Sequence, residues 1–459
     1  MRKKYDVVIV GSGPAGMSAA LELVKSRQDL KIAILEKGPQ RTPADRNNKD
    51  LLACGWGGAG TFSDGKLNLT HKTGGHLIDV ISENEFENLI RYVDKQYLNF
   101  GGRQGHLKNP DLEDAKRLKI EALSAGFKDF IFYPTRHWGT DNAFVISENI
   151  RNHLAAAGVE IFCNTEFVNI ESEGEKFVFS TREGALRGPE LESDVAILAL
   201  GRGGNRQVGE IARKFGLNVA DNGVDIGLRL ETLAEAFEKF TNVVQDPKLI
   251  LRTGKGEVRT FCVCPNGFVK LESSYGVLTV NGESYSQKSG KKSPNTNFAI
   301  LVHRNFTYPF NDPVKYGNAV AGLANELGKT VIVQSLRDFL DGHRSTPERI
   351  RKSGVIPTLK EAEPGSIGSF MPYDFMIPLL AMMEALMKVT PINPDILLMY
   401  GAEVKQYAER VEVGQGFETK KKGLYFIGDG SGYTRGIMQA SIQGVLAARH
   451  IADKKVNNE

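Results

Sequence analysis

Cysteine is scarce in this chain: 459 residues carry four, Cys54, Cys163, Cys262 and Cys264. Too few to form the framework of a disulfide-stapled fold at this length, they point to a reducing, cytoplasmic setting. An excess of one charge is missing as well. Lys and Arg number 58 against 55 Asp and Glu, a net charge of +3, so the chain lacks the basic field that gathers nucleic acid or anionic lipid. The most conspicuous basic run, Lys420 to Lys422, reads as a solvated turn before a strand. Long apolar runs are also absent. Met376 to Met387 is interrupted by Glu384 and falls short of the roughly 20 residues that span a bilayer, so no membrane span is expected. What is present is an ordinary globular composition, 41% hydrophobic and 25% charged, and at roughly 150 residues per domain the length implies two or three domains.

The opening Met1-Arg2-Lys3-Lys4 and the apolar Tyr5 to Val10 imitate a signal peptide, but Asp6 interrupts them and glycines follow where an apolar core belongs. The segment reads as a buried strand. Gly11-Ser12-Gly13-Pro14-Ala15-Gly16 comes next, and Met17 to Val24 continues as a helix former. Strand, tight turn and helix in this order bind a dinucleotide: Gly11 permits the turn, Gly13 lets amides approach a pyrophosphate, and Gly16 lets the helix pack on the strand. A second strand, Lys31 to Leu35, ends in Glu36, at the spacing where a carboxylate meets an adenosine ribose and where a 2′-phosphate is disfavoured. FAD and NAD both satisfy this pattern.

Near the other end, Gly423-Leu424-Tyr425-Phe426-Ile427-Gly428-Asp429-Gly430 is another strand delivering an acidic residue, and a helix with a small-residue face follows. Alone, Gly428-Asp429 reads equally as a strand-to-helix turn capped by Asp. Together with the N-terminal fingerprint, it resembles the closing signature of FAD-dependent oxidoreductases of the glutathione-reductase-like class. That resemblance implies FAD as cofactor, Asp429 on the ribityl hydroxyls, and the amides around Gly436, Ile437 and Met438 at the flavin pyrimidine edge. Asp194 to Gly204, an apolar strand ending in glycines, resembles the middle signature of the same class, with Gly201 at the cofactor.

Over nearly its whole length the chain resembles the little-characterised FAD-dependent dehydrogenases related to bacterial glycine-rich flavoproteins. The likeness also rests on Gly57 to Leu67, His137-Trp138-Gly139-Thr140-Asp141, Asp225 to Glu231 and Thr260 to Pro265. Thr434-Arg435 departs from the smaller pair expected before Gly436. The fold class expected is α/β: a Rossmann-like FAD-binding domain of glutathione-reductase type, made of 1–75, 136–230 and 418–459, with a helical insertion over 76–135 and an inserted α+β substrate domain over 231–417.

The candidate cofactor set is Gly11, Ser12, Gly13, Pro14, Ala15, Gly16, Glu36, Lys37, Gly58, Ala59, Gly60, Thr61, Ser63, Lys66, Val168, Gly201, Gly428, Asp429, Gly436, Ile437 and Met438. Gly57 to Lys66 reads as a loop suited to wrapping pyrophosphate and flavin with amides and Lys66. Val168 lies along the adenine by resemblance. Elsewhere, helices are expected over Glu83 to Tyr97, Asp111 to Ala125, Asn142 to Ala157 and Pro313 to Leu327, a hairpin around Glu173-Gly174, and an exposed loop over Asn281 to Pro294. Tyr373 to Met387 reads as a helix that Pro378 starts late or kinks.

Three groups are candidates for chemistry. His137 with Asp141 could handle a proton, against a structural histidine and plain capping by Thr140 or Asp141. Cys262 and Cys264, on one face of an extended strand, could be a flavin-coupled dithiol, half a metal site, or two buried thiols; with no neighbouring cysteine pair, no metal site is expected. Arg435 and Arg229 could clamp an anionic substrate, against a structural salt bridge.

The reading is an FAD-dependent oxidoreductase that exchanges a hydride with a small organic, anionic substrate. Its electrons come from that substrate, from transiently bound NAD(P)H or from a redox partner protein, because no second strand–Gly-x-Gly-x-x-Gly–helix unit occurs. A flavin monooxygenase and a flavin-carrying RNA-modifying protein are the alternatives. Balanced charge argues against nucleic acid as a partner.

Overall fold

The computed structural model describes residues 2–42, 54–274, 276–285 and 290–456. The chain divides into two compact units: Met1–His106, Arg136–Asn222 and Tyr407–Glu459 form the first, and Leu107–Thr135 with Gly223–Gln406 form the second.

The first unit is built on the strand Lys3–Val10. Its run of Val7, Val8, Ile9 and Val10 is continuous because a central parallel strand is covered on both faces. Val7 lies opposite Ile32 of the parallel strand Ile32–Leu35 on one side and opposite Val195 of the parallel strand Leu191–Leu198 on the other. Glu160–Phe162 extends the sheet beyond Ile32–Leu35, and Leu424–Phe426 extends it beyond Leu191–Leu198, both in parallel. The expected hairpin is present as Glu166–Glu173 and Lys176–Glu183, joined antiparallel to Leu191–Leu198. Val7, Ile9, Ile34 and Ile197 face the helices Pro14–Ser26, Thr140–Ala156 and Ile437–Val456, while Val8, Val10, Ala33 and Leu198 share the opposite core with Phe177 and Phe179.

The second unit is a largely antiparallel sheet in the order Glu363–Pro364, Ile332–Ser335, Leu397–Gln406, Val224–Leu233, Asn295–Arg304, Gly256–Cys264, Lys248–Thr253, Asp129–Ile131. Ile226, Leu228 and Leu230 of its central strand join the apolar core with the helices Pro313–Gly328 and Tyr373–Val389. The alternate residues are polar yet equally buried. Arg229 grips Glu403 through two bonds, Nε–Oε2 at 2.8 Å and Nη2–Oε1 at 3.1 Å, both side chains being wholly inaccessible. Glu231 accepts from Tyr400 Oη at 2.5 Å and from Asn295 Nδ2 at 3.0 Å. Arg229 is therefore structural and not a substrate clamp.

Several expectations change in detail. The segment 76–135 splits between the units: the helix Glu83–Asn99 belongs to the first, and Leu112–Ser124, capped by Asp111, belongs to the second. The loop expected from Asn281 begins later, because Val277–Glu283 is a strand paired with Phe268–Ser274. Gly282 serves close approach there: a Cβ would lie 2.3 Å from Arg229 Nη1. Residues 286–289 of that loop lie outside the described ones. Pro378 neither delays nor ends the helix Tyr373–Val389. Proline cannot donate to the carbonyl four residues earlier, and that carbonyl, Asp374 O, instead accepts from Arg304 Nη2 at 3.1 Å.

Glu403→Leu is expected to strand the Arg229 guanidinium without its carboxylate and to cost about 3 to 5 kcal/mol. The reading is a lowered melting temperature, and an unchanged one would show that the pair contributes nothing to stability.

Candidate functional site

Three separated stretches of sequence meet at the C-terminal ends of the first unit's parallel strands. Gly11 has φ of +101°, and a Cβ there would lie 2.3 Å from Ala199 O, so the first and middle glycine signatures touch. A Cβ on Gly430 would lie 2.9 Å from Gly201 O, one on Gly428 would lie 3.0 Å from Ala15 Cβ, and one on Gly444 would lie 2.2 Å from Ala15 O. Backbone therefore packs on backbone across segments up to 429 residues apart in sequence, the separation of Gly444 and Ala15.

Gly13 behaves differently. A Cβ there meets nothing within 4 Å, and the same holds at Gly201 and Gly203. The helix Pro14–Ser26 starts beside this open space with no side-chain cap at Gly13 and no acidic residue in its first turn. Uncapped amides and the positive helix end suit a diphosphate. Asp429, part exposed, stands in the turn that follows the strand Leu424–Phe426 and accepts from Thr434 Oγ1 at 3.0 Å. Gln443 fixes that turn by accepting from Gly428 N at 2.8 Å. Gly436, exposed, and Ile437, buried, open the last helix, and the Met438 side chain is in the core, leaving only its backbone for a ligand. These residues fit a flavin dinucleotide lying over the strand ends.

Some expected contacts are spent within the protein. Glu36 is 6% exposed and its two oxygens accept from four donors: Ser12 N at 3.2 Å, Ser12 Oγ at 2.7 Å, Gly38 N at 3.0 Å and Gly55 N at 2.9 Å. A carboxylate has about four acceptor sites, so a ribose hydroxyl would have to share or displace one. The stretch read as a loop contains a helical turn, Ala59–Phe62, because Thr61 Oγ1 bonds Gly58 O at 3.0 Å and Ser63 Oγ bonds Gly60 O at 2.9 Å. Lys37 is exposed, and Val168 lies where the hairpin register slips.

Lys66 Nζ lies 2.7 Å from Asp64 Oδ2, both side chains being nearly inaccessible, and His137 Nε2 lies 3.7 Å from the same oxygen. The strand carrying His137 is held by Arg136, which makes two bonds to Asp94, at 2.6 and 2.7 Å. Trp138 N donates to Gly65 O at 3.0 Å, which keeps the two segments side by side. Asp64 was not singled out from sequence; its place between Ser63 and Gly65 in the glycine-rich stretch was the available signal. Asp141 is exposed in the first turn of Thr140–Ala156, whose N-cap is Gly139 with no side-chain cap, so neither Thr140 nor Asp141 is the cap. Arg435 stacks 4.1 Å from the centre of the Tyr407 ring.

Cys262 and Cys264 lie in the second unit. Their strand is not regularly extended there. Cys262 has φ of +47° and the register slips between Phe261 and Cys264, so the alternation argument does not apply to them.

Residues 6–219 match the family model described as FAD dependent oxidoreductase, and 234–388 match FAD-dependent protein, C-terminal domain-like. An uncharacterized protein of Clostridium beijerinckii is 25% identical over 505 aligned positions, covering 98% of this chain and 81% of that protein. A probable FAD-binding monooxygenase AlmA of Acinetobacter sp is 31% identical over 100 residues, 20% of each chain. Among solved structures, a flavoprotein/dehydrogenase from Cytophaga hutchinsonii shares 14% identity with a TM-score of 0.46, covering 100% of this chain and 80% of that one. Glycine oxidase from Geobacillus kaustophilus shares 13% with a TM-score of 0.43, covering 98% and 95%. Among the described residues no helix is long and apolar enough to cross a membrane.

Gly13→Val fills open space at a φ of −67° that valine tolerates, so the variant should fold with the melting profile of the flavin-stripped wild-type chain while losing most of its 450 nm absorbance. Retention of full flavin stoichiometry would remove Gly13 from the site. Asp429→Ala is expected to lower retained flavin in the same way.

Proposed function

Because the chain is an FAD-dependent oxidoreductase with FAD as its cofactor, we propose that it exchanges a hydride with a small organic substrate. The observation that carries this reading is the meeting of the three glycine signatures around open backbone at Gly13 and Gly201. Bound flavin supplies a hydride acceptor or donor at N5. The chain's own residues do the rest. The amides at the start of Pro14–Ser26 hold the diphosphate, Asp429 takes ribityl hydroxyls, and the backbone at Gly436 to Met438 faces the pyrimidine edge, where a positive helix end favours the reduced, anionic ring. A glutathione-reductase-type placement belongs to the same proposal, supported by the return of Leu191–Leu198 beside Lys3–Val10.

Hydride transfer to or from carbon is accompanied by a proton, and the Lys66, Asp64 and His137 cluster offers a buried route for one. Arg435, stacked on Tyr407, is the candidate to meet an anionic substrate. Electrons arrive from the substrate, from NAD(P)H bound in passing or from a partner protein.

The test is an anaerobic spectral screen of the flavin-loaded protein against small organic acids, alcohols and amines and against NADH and NADPH. Bleaching of the flavin band by one class, or reoxidation of the photoreduced protein by an unsaturated acid, is the expected result. A flavin inert to all of them would overturn the hydride reading. His137→Gln should retain FAD yet slow flavin reduction about 100-fold, and an unchanged rate would exclude His137 from proton handling.

A further inference from the structure

We propose that Cys262 and Cys264 form a two-electron thiol couple, closing to an intrachain disulfide by exchange with a small-molecule disulfide. The proposal does not depend on the hydride reading. In a regular strand residues two apart are about 6.6 Å apart along the chain, but here the two Sγ atoms are 4.0 Å apart. The backbone brings them together. Cys262 occupies the left-handed region at +47°, Asn266 does the same at +49°, and the strand loses register between Phe261 and Cys264. L-residues adopt this region at a cost, and the surrounding structure has to impose it.

Here the enforcing group is visible. Arg229 Nη1 donates to Cys262 O at 3.2 Å and to Asn297 Oδ1 at 2.8 Å, while its other nitrogens are fixed on Glu403. Burial opposes the charge on Arg229, but Glu403 and the two cysteines hold it firmly protonated. Of the other two cysteines, burial pushes Cys163 up to about 11 and raises Cys54 as well.

Exposure assigns the two roles. Cys262 is partly accessible and Cys264 is not. Cys262 thiolate attacks an external disulfide, forming a mixed disulfide and expelling one thiolate. Cys264 thiolate then attacks Cys262 Sγ and expels the second. Two protein thiols are oxidised, one external disulfide is reduced to two thiols, and the two protons pass to the expelled thiolates. A ring closed over so few residues is strained and correspondingly easy to reduce.

The experiment equilibrates the flavin-loaded protein with mixtures of reduced and oxidised glutathione, whose couple lies in the range of strained disulfides, quenches with N-ethylmaleimide and reads the tryptic peptide Thr260–Lys270, which holds both cysteines and no other. The expected result is two interconverting species, one doubly alkylated and one lighter by two hydrogens and unalkylated, passing from one to the other across a single midpoint. Cys262→Ser and Cys264→Ser should each abolish the lighter species. Double alkylation across the whole range, in protein whose melting profile shows it folded, would overturn the proposal, and so would a lighter species that survives either substitution.

Discussion

The structure of the first unit depends on the contact of one backbone with another at Gly11. No side chain can stand between that turn and Ala199 O, and this is what lets the strand Leu191–Leu198 run beside Lys3–Val10 to its end. The same kind of contact repeats at Gly430 against Gly201 and at Gly444 against Ala15. Glycine here marks where distant segments touch, and the open glycines, Gly13 and Gly201, mark where something other than protein can approach. The contrast between crowded and open glycines distinguishes architecture from binding surface more sharply than the sequence motif does.

The second unit solves a different problem. Its central sheet carries an apolar face in the usual way, but its other face buries Arg229, Glu231, Glu403 and Lys405 under a hairpin. Such a layer contributes little net stability compared with an apolar one, because each ion must be desolvated. It also ties the hairpin to the sheet: Lys405 reaches Glu272 of the hairpin at 2.8 Å.

Much of the first unit was legible in the sequence because its strands are continuous apolar runs ending in glycine or acid, at spacings that few other folds share. The helix starts near Glu83, Asp111 and Pro313 were legible as well, and in the structure Ser82, Asp111 and Asp312 cap them. What escaped has a common cause. Glu36 looked like a ribose ligand, but sequence does not show that Ser12, Gly38 and Gly55 already satisfy it. Arg229 looked like a possible clamp until its carboxylate appeared 174 positions away. Cys262 broke the strand alternation through a backbone angle that its own side chain does not favour. For Glu36 the deciding partners lie within 24 positions and for Arg229 they lie 174 away, but in neither case does the local pattern of residues reveal them.

The order of segments has a consequence for synthesis on the ribosome. Lys3–Val10 and its helix emerge well before Leu424–Phe426 and the helix Ile437–Val456, which complete their sheet and bury their apolar side. Between Ser26 and Leu424, 397 residues are translated in the interval. During that time the second unit has all its strands available, while the apolar side of the N-terminal element still lacks the last helix that covers it in the folded unit.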